Sequence, residues 1–184
     1  MRTKAIIIKK QPTNEYDELI TCYTQEFGKL TAVAKSVLKG SSMQGMHLDN
    51  LNLVDFELIN GRSLPIIAAA QAERSFVNLK SNIRLLAVAQ FFMDVADKMV
   101  FDLQKDESLW NFMSGVLEKL DNRVRPENAL TFLRQQQFYL LKVLGYGSPR
   151  FDLGKERSNL DTEFEYALGA RLRSLDFIYS VLKY

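Results

Sequence analysis

The first part of the chain alternates apolar and polar side chains in short runs, a pattern typical of β-strands. In the first run, Lys4 to Lys10, Ala5 and Ile7 are expected on one side of the strand and Ile6 and Ile8 on the other. Similar runs follow at residues 19–24, 30–35, 51–59 and 64–73. The pattern therefore predicts five strands, and two of the connections between them, Gly28-Lys29 and Asn60-Gly61, are tight-turn sequences.

From about Ser81 the spacing of apolar residues changes from two to 3.6, which predicts helices. Between Ile83 and Leu103 almost every position is apolar except along one narrow polar stripe, so this helix is expected at the centre of a bundle. Asp106 is placed to cap a second helix, and a third is predicted from Pro126 to Gly145. Two shorter helices are expected near residues 164–168 and 172–182.

These patterns together predict an α+β fold, with an all-β N-terminal part and an all-α C-terminal part. Five short antiparallel strands suit a small closed barrel, and the OB-fold is such a barrel that works as a binding module. We expect a five-stranded OB-fold barrel over residues 1–77 and a helical bundle over residues 78–184.

Composition removes several classes of function. The single cysteine, Cys22, excludes an internal disulfide and a multi-cysteine zinc site, and the single histidine excludes a His pair. Cys22 itself is expected to be a small buried residue within a strand. No apolar stretch is long enough for a signal peptide or a membrane span, so a cytoplasmic protein without membrane contact is expected.

The connection at residues 36–50 is expected to be an exposed loop, and loops of this kind often carry function. Its glycines, Gly40 and Gly45, have the spacing of a phosphate-binding loop, but Met46-His47 stands where that loop needs Lys followed by Ser or Thr. A hydrolase built on His47 with Ser41 or Ser42 would need an aspartate that nothing in the sequence arranges, and an enzyme with a deep pocket around His47, Asp49 and Ser42 is a distant third alternative. We predict no enzyme, no cofactor and no metal site, and an ordinary loop role for His47.

The net charge of +2 says little, but the distribution of charge is informative. Residues 1–40 have seven basic and four acidic side chains. Lysines on different barrel strands could follow a phosphate backbone, although lysines at strand ends also keep sheet edges soluble. Alternation places Lys4 and Lys10 on one face of strand one and Lys9 on the other. The predicted phosphate contacts are Lys4, Lys9, Lys10, Lys29, Lys35, Lys39, Arg62 and Arg74.

Two further groups in the barrel have alternative interpretations. Tyr16 and Tyr23 could stack on bases, but Tyr23 could equally belong to the core. Asp55 and Glu57 lie on one strand face, where they could hold a cation or form the solvated side of an amphipathic strand.

The helical part is rich in aromatic and methionine side chains, so a groove for an apolar peptide is conceivable, as is ordinary core packing. Arg134 or Arg171 at the edge of such a groove would suit a terminal carboxylate of the peptide.

The order of several short segments resembles a known family. The opening MRTKAIIIK, EYDELIT from Glu15 and EFGKLTAVAKSV from Glu26 are similar to the N-terminal barrel of the RecO recombination-mediator family. Residues 53–56 and AQAE at 70–73 fit its later strands. LLKVLGYG from Leu140 and RLRSL from Arg171 resemble its helical domain.

This resemblance implies a DNA-repair protein that binds single- and double-stranded DNA and anneals complementary strands. It also implies partners: RecR, the C-terminal tail of single-stranded-DNA-binding protein, and indirectly the RecA recombinase. Many family members have four zinc-binding cysteines after the Leu-Gly-Tyr segment, but residues 151–161 contain none. The loop after strand three has only Lys35 and Lys39, so weak DNA affinity is expected, and a peptide-binding adaptor is the alternative function.

Overall fold

The computed structural model describes residues 1–40, 42–146, 159–169 and 171–182. The chain forms two compact units. The barrel unit consists of Met1–Phe76 and Val100–Trp110, and the helical unit consists of Val77–Met99 and Asn111–Tyr184. The sequence places a domain boundary after residue 77, and this boundary stays a prediction. The sequence does not indicate that Val100–Trp110 belongs to the barrel unit.

Five strands form the barrel: β1 Arg2–Pro12, β2 Glu18–Thr24, β3 Gly28–Ala34, β4 Leu53–Ile59 and β5 Ile66–Arg74. They close in the order β1-β2-β3-β5-β4, and β4 pairs back onto β1. All pairs are antiparallel except the short parallel contact of Val33 with Ile66 between β3 and β5. This is the arrangement of an OB-fold, and the predicted fold class is confirmed.

The interior of the barrel follows the predicted alternation. Ala5 and Ile7 of β1 lie in the core, together with inward residues of the other four strands. Ile6 and Ile8 on the opposite side of β1 are also buried. A strand that is apolar on both faces is covered on both faces, so the outside of this part of the barrel is covered as well.

The segment at residues 100–106 provides part of that cover. The hydroxyl of Tyr23 donates to the backbone carbonyl of Asp106 at 3.2 Å, and the amide of Leu103 donates to the carbonyl of Lys29 at 2.8 Å. Lys29 and Asp102 form a parallel β-bridge. This docking explains why the predicted first long helix ends at Met99 rather than at Leu103.

One prediction for β1 is wrong. The register with β2 shifts between Ile7 and Lys9, so Ile8 is an extra residue in the strand. Lys9 lies opposite Thr21, whose neighbours Ile20 and Cys22 are in the core, and therefore Lys9 faces outward. Lys4 also faces outward, because Ala5 beside it lies in the core. Lys4 and Lys9 thus share a face that Lys10 does not.

A short helix, α1 Gln44–His47, lies in the connection between β3 and β4. In the described part of the chain, six further helices follow the barrel strands: α2 Val77–Ser81, α3 Ile83–Met99, α4 Glu107–Asn122, α5 Ala129–Val143, α6 Asn159–Leu168 and α7 Arg173–Leu182. A single 3-10 turn, Pro126–Asn128, precedes α5. Among the residues that the structure describes, none of the helices is both long enough and apolar enough to cross a lipid bilayer.

The helical unit is built around α3, as its pattern predicts. Helices α2, α5 and α7 all pack against it. Phe91 of α3 makes edge-to-face contacts with Phe92 and with Phe164 of α6, at ring distances of 5.2 and 5.4 Å. The cap predicted at Asp106 is present, because its carboxylate accepts the amide of Leu109 at 3.0 Å.

Candidate nucleic-acid interface

The barrel topology brings three connections to one end of β3. Glu18 at the start of β2 lies opposite Ala34 at the end of β3, so the β1–β2 loop (13–17) lies beside the β3 exit turn (35–39). The amide of Val33 donates to the carbonyl of Pro65 at 2.8 Å, which places the β4–β5 turn (60–65) beside the same strand end. Two of these connections, the β1–β2 loop and the β4–β5 turn, are the loops that flank the ligand-binding face of OB-folds in general.

The β1–β2 loop and the β3 exit turn are bonded to each other at two points. A carboxylate oxygen of Asp17 accepts the amide of Ser36 at 2.7 Å, and the carbonyl of Tyr16 accepts the amide of Leu38 at 3.0 Å. Within the loop, Thr13 donates its amide to the carbonyl of Asp17 at 3.0 Å. The two segments therefore form one structure, which we call the latched lobe (13–17 with 35–39).

The latched lobe presents cations next to an exposed aromatic ring. The ammonium of Lys39 lies 5.3 Å from the ring centre of Tyr16, a cation–π contact. Tyr16 is 41% exposed, so its ring is accessible from solvent. A hydrogen bond with Glu15 and, to a lesser degree, burial raise the pKa of Tyr16 above its usual value.

Asp17, one of two acidic residues in the lobe, is held in its charged form. The hydrogen bond from the Ser36 amide is the main reason that the pKa of Asp17 lies below its usual value. A bond from the side chain of Asn14 at 3.2 Å and the charges of Lys35 and Lys39 act in the same direction. Asp17 is thus an ionised acceptor at neutral pH.

Arg62 adds a third cation from the β4–β5 turn, and its side chain is exposed. Among the described residues, neither Arg62 nor Lys35 forms an ion pair with a carboxylate. Both cations are therefore available to an external anion.

A polar row crosses the outside of the sheet below the lobe. Lys9 of β1 lies opposite Thr21 of β2, which in turn lies opposite Thr31 of β3. The two threonine hydroxyls are 3.2 Å apart. This row leads from Lys9 across to β3. We call the latched lobe, Arg62 and this row the candidate interface.

The remaining predicted cations of the barrel are placed elsewhere or are paired. Lys4 contacts Glu73 at 2.9 Å, and Lys10 lies 3.5 Å from Asp49. The ammonium of Lys29 lies 3.3 Å from Asp102, with its side chain only 12% exposed. Lys29 is at the opposite end of β3 from the lobe, and Arg74 lies at the end of β5, opposite Leu53. The structure thus assembles part of the predicted set, namely Lys9, Lys35, Lys39 and Arg62.

Two groups with open interpretations are resolved. Tyr23 is fully buried and bonded to Asp106, so it belongs to the barrel packing and cannot stack on bases. Asp55 is bonded to the guanidinium of Arg2 at distances of 2.7 to 3.1 Å, and Glu57 is exposed. The side-chain bond from Arg2 is the largest reason that the pKa of Asp55 is lowered. These carboxylates form the solvated side of β4.

His47 has a structural contact of its own. Its Nδ1 accepts the amide of Ala72 at 3.2 Å, on the side of β5 that faces α1. Gln44 of the same helix donates to the carbonyl of Ala68 at 3.3 Å. Two side chains of α1 thus satisfy backbone groups of β5 that strand pairing leaves open.

The two arginines predicted for a peptide have different surroundings. Arg134 binds both carboxylate oxygens of Asp161, at 2.6 and 3.1 Å, and also contacts Gln137 and Tyr179. The carboxylate of Asp161 thus occupies the place beside Arg134 where the peptide hypothesis puts the terminal carboxylate of a peptide. Arg171 is exposed and pairs with Asp176 at 2.6 Å.

The family resemblance places zinc-binding cysteines in a segment that corresponds to residues 151–161, which contain no cysteine. Residues 151–158 of this segment lie outside the described residues.

Asp17 is not among the functional residues predicted from the sequence. An Asp at the end of a polar loop is a common acceptor for nearby backbone amides. That signal was present, but the partner amide of Ser36 lies in another connection and was not apparent from the sequence.

Comparison with known proteins identifies relatives along most of the chain. A family model described as recombination protein O N terminal matches residues 1–76, and one described as recombination protein O C terminal matches residues 80–152. A "DNA repair protein RecO" of Dehalococcoides mccartyi is 30% identical over 79% of this chain and 56% of its own length. One from Clostridium kluyveri is 27% identical over 90% of this chain and 63% of its own length.

The chain therefore spans between half and two thirds of the length of these relatives. Both family models match in the expected order, the first over the barrel strands and the second from within α2 to just beyond α5. Together with the OB-fold barrel followed by helices, these matches show that the chain belongs to the RecO family.

Proposed function

We propose that this chain acts in recombinational DNA repair by binding single- and double-stranded DNA and annealing complementary strands, without covalent chemistry of its own. The observation that supports this most directly is that Lys35 and Lys39 lie in one lobe with the exposed ring of Tyr16, while the turn that contains Arg62 lies beside the same end of β3. The names of the relatives, DNA repair protein RecO, agree with the proposal.

The chemistry of the candidate interface suits contact with any sequence. Ammonium and guanidinium groups attract phosphates regardless of the bases that follow them. An aromatic ring such as Tyr16 stacks on any base, because every base has a π-face. Neither contact needs the pairing edges of the bases, so a strand held in this way remains free to pair with its complement.

We further propose the partners that the family resemblance implies. These are RecR, the C-terminal tail of single-stranded-DNA-binding protein and, indirectly, RecA, whose loading on coated single strands this chain would assist. In the helical unit, the exposed Arg171 is better placed than Arg134 to meet the carboxylate of such a tail. A protein with these partners works at the nucleoid, in the cytoplasm.

A salt titration tests the DNA proposal. Fluorescence anisotropy of a labelled single-stranded oligonucleotide is measured over a range of salt concentrations. If the three cations of the lobe and turn contact phosphates, the logarithm of affinity should fall against the logarithm of salt with a slope of about −2. Binding that is absent at low salt, or insensitive to salt, would contradict the proposal.

Charge reversal locates the contact. The double variant Lys35→Glu and Lys39→Glu should weaken binding to all sequences alike and flatten the salt dependence. The matched control is the double variant Lys119→Glu and Lys142→Glu, which reverses two exposed lysines of α4 and α5 in the helical unit. Equal loss in both variants would mean that overall charge, rather than the candidate interface, determines binding.

The same protein can be tested for the alternative function, an adaptor that binds a peptide with little DNA affinity. A labelled peptide corresponding to the tail of a single-stranded-DNA-binding protein is titrated with the wild type and with Arg171→Ala. Peptide binding without salt-dependent DNA binding would favour the adaptor.

A further inference from the structure

The latched lobe depends on an acidic residue that lies beside its cations. Asp17 accepts the Ser36 amide at 2.7 Å with one carboxylate oxygen and the Asn14 side chain at 3.2 Å with the other. Its negative charge faces Lys35 and Lys39. A carboxylate at this place would by its charge alone repel a phosphate backbone, so its presence beside the candidate contacts needs a reason.

The backbone of the β3 exit turn supplies one. Ser36 has a φ of 57°, in the left-handed region that residues other than glycine rarely adopt. A conformation of this kind persists only where surrounding contacts hold it. The bond from the Ser36 amide to Asp17 is short and charge-assisted, and such bonds are roughly twice as strong as neutral ones.

The cations follow directly from this turn. Lys35 precedes Ser36, and Lys39 comes three residues after it and donates its amide to the carbonyl of Ser36 at 3.3 Å. The direction of both side chains therefore depends on the conformation at Ser36. The second link of the lobe, from Leu38 to the carbonyl of Tyr16, keeps the aromatic ring within reach of Lys39.

We propose that Asp17 is a positioning residue for DNA binding, which fixes Lys35, Lys39 and Tyr16 in one arrangement by accepting the Ser36 amide. The proposal rests on the proposed function and extends it to a residue that does not itself contact DNA. By fixing the cations in place, Asp17 increases DNA affinity by more than the repulsion between its carboxylate and the phosphates lowers it.

Two substitutions separate geometry from charge. Asp17→Asn removes the charge but keeps an oxygen that can accept the Ser36 amide. Asp17→Glu keeps the charge, but its longer side chain moves the carboxylate away from that amide. If Asp17 positions the lobe, Asp17→Glu should weaken binding on the order of fivefold, because a charge-assisted bond is lost, whereas Asp17→Asn should bind as tightly as wild type or more tightly.

The salt dependence provides a readout that a general loss of stability would not change. In Asp17→Glu the slope should decrease by about 0.7 for each phosphate contact that is lost. The control is Glu26→Ala, which removes a carboxylate that pairs with Lys105 at the opposite end of β3 from the lobe. The melting temperature of each variant confirms that the compared proteins are folded.

The outcomes are distinct. Weaker binding by Asp17→Glu alone supports the proposal, whereas tighter binding by Asp17→Asn with unchanged binding by Asp17→Glu overturns it, because charge would then be the only role of the residue. Equal weakening of both variants also overturns it.

Hydrogen exchange of the free protein tests the lobe without DNA. The amides of Ser36 and Leu38 should lose protection in Asp17→Glu and retain it in Asp17→Asn. If wild type fails to bind DNA while this protection pattern is found, the proposed function fails and the lobe stands as a structural unit. If wild type binds DNA and the pattern is absent, the positioning role is overturned and the proposed function remains.

Discussion

Arg134 of α5 and Asp161 of α6 form a two-bond ion pair, at 2.6 and 3.1 Å, with side chains that are only 18% and 15% exposed. Gln137 donates to the same carboxylate at 3.0 Å, and the hydroxyl of Tyr179 on α7 contacts both partners. Although burial alone would lower the pKa of Arg134, the bonds and charge of Asp161 raise it, so the guanidinium stays charged. The pair links three helices of the helical unit.

The first prediction concerns the loss of one partner. Asp161→Ala should lower the free energy of unfolding by about 3 kcal/mol, because it leaves a largely buried guanidinium without a counter-charge. The control is Asp176→Ala, which removes the exposed partner of Arg171 and should cost less than about 1 kcal/mol. Urea denaturation of the full chain measures both. Similar costs for the two variants would show that the Arg134 pair contributes no more than a surface pair.

The second prediction concerns alkaline pH and Tyr23. Burial, followed by the charge of Asp106, raises the pKa of Tyr23 from 10.0 to about 12. The folded protein therefore keeps this proton between pH 10 and pH 12, whereas the unfolded chain releases it. Since the native state binds more protons in this window, stability due to Tyr23 is present below pH 10 and is lost as the pH rises towards 12.

Tyr23→Phe isolates that effect from the other tyrosines. The variant should be less stable than wild type at pH 8, by about 1 kcal/mol for the lost bond to Asp106, and the difference should shrink between pH 10 and pH 12. Tyr139→Phe, at an exposed ring of α5, is the control. Melting temperatures across this pH range measure the trend, and a constant difference would contradict the assignment.

Much of the barrel could be predicted from local sequence. The alternation correctly separates Ala5 and Ile7, which lie in the barrel core, from Ile6 and Ile8 on the other side of β1, although it does not indicate which side faces inward. Its continuation to Lys9 and Lys10 failed, since a bulge at Ile8 shifts the register, and nothing in a run of isoleucines indicates where an extra residue will stand. The cover over the outer side of β2 is also non-local, because Tyr23 is bonded to Asp106.

The candidate site was predictable only in part, for an electrostatic reason. The sequence does not show whether a lysine is free to bind a phosphate, because the carboxylate that pairs with it is set by the tertiary structure. Lys4 meets Glu73 across two strand pairings, and Lys29 meets Asp102 from the segment that docks on the barrel. Lys35, Lys39 and Arg62 lie in connections rather than in strands, so strand pairing does not place a carboxylate opposite them.

The third prediction tests the docking of residues 100–106 through a glycine. Gly28 has a φ of 70°, and a Cβ built on it would lie 2.0 Å from the carbonyl oxygen of Gln104. Gly28→Ala should therefore destabilise the protein by more than about 1 kcal/mol and expose the Leu103 amide to hydrogen exchange. In contrast, a Cβ on Gly115 of α4 would meet no atom within 4 Å. Gly115→Ala should stabilise the helix by about 0.5–1 kcal/mol. A stable Gly28→Ala variant with a protected Leu103 amide would contradict this account.

The fourth prediction concerns the only histidine. Because Nδ1 of His47 accepts the amide of Ala72, His47→Ala leaves that amide without its partner on the open side of β5. We expect a loss of about 1 kcal/mol in the free energy of unfolding and faster hydrogen exchange at Ala72. Gln44→Ala, which removes the more exposed bond to Ala68, should cost less and leave the Ala72 amide protected. DNA affinity should be unchanged in both variants, because neither residue belongs to the candidate interface. Unchanged exchange at Ala72 in His47→Ala would show that the histidine does not protect this strand edge.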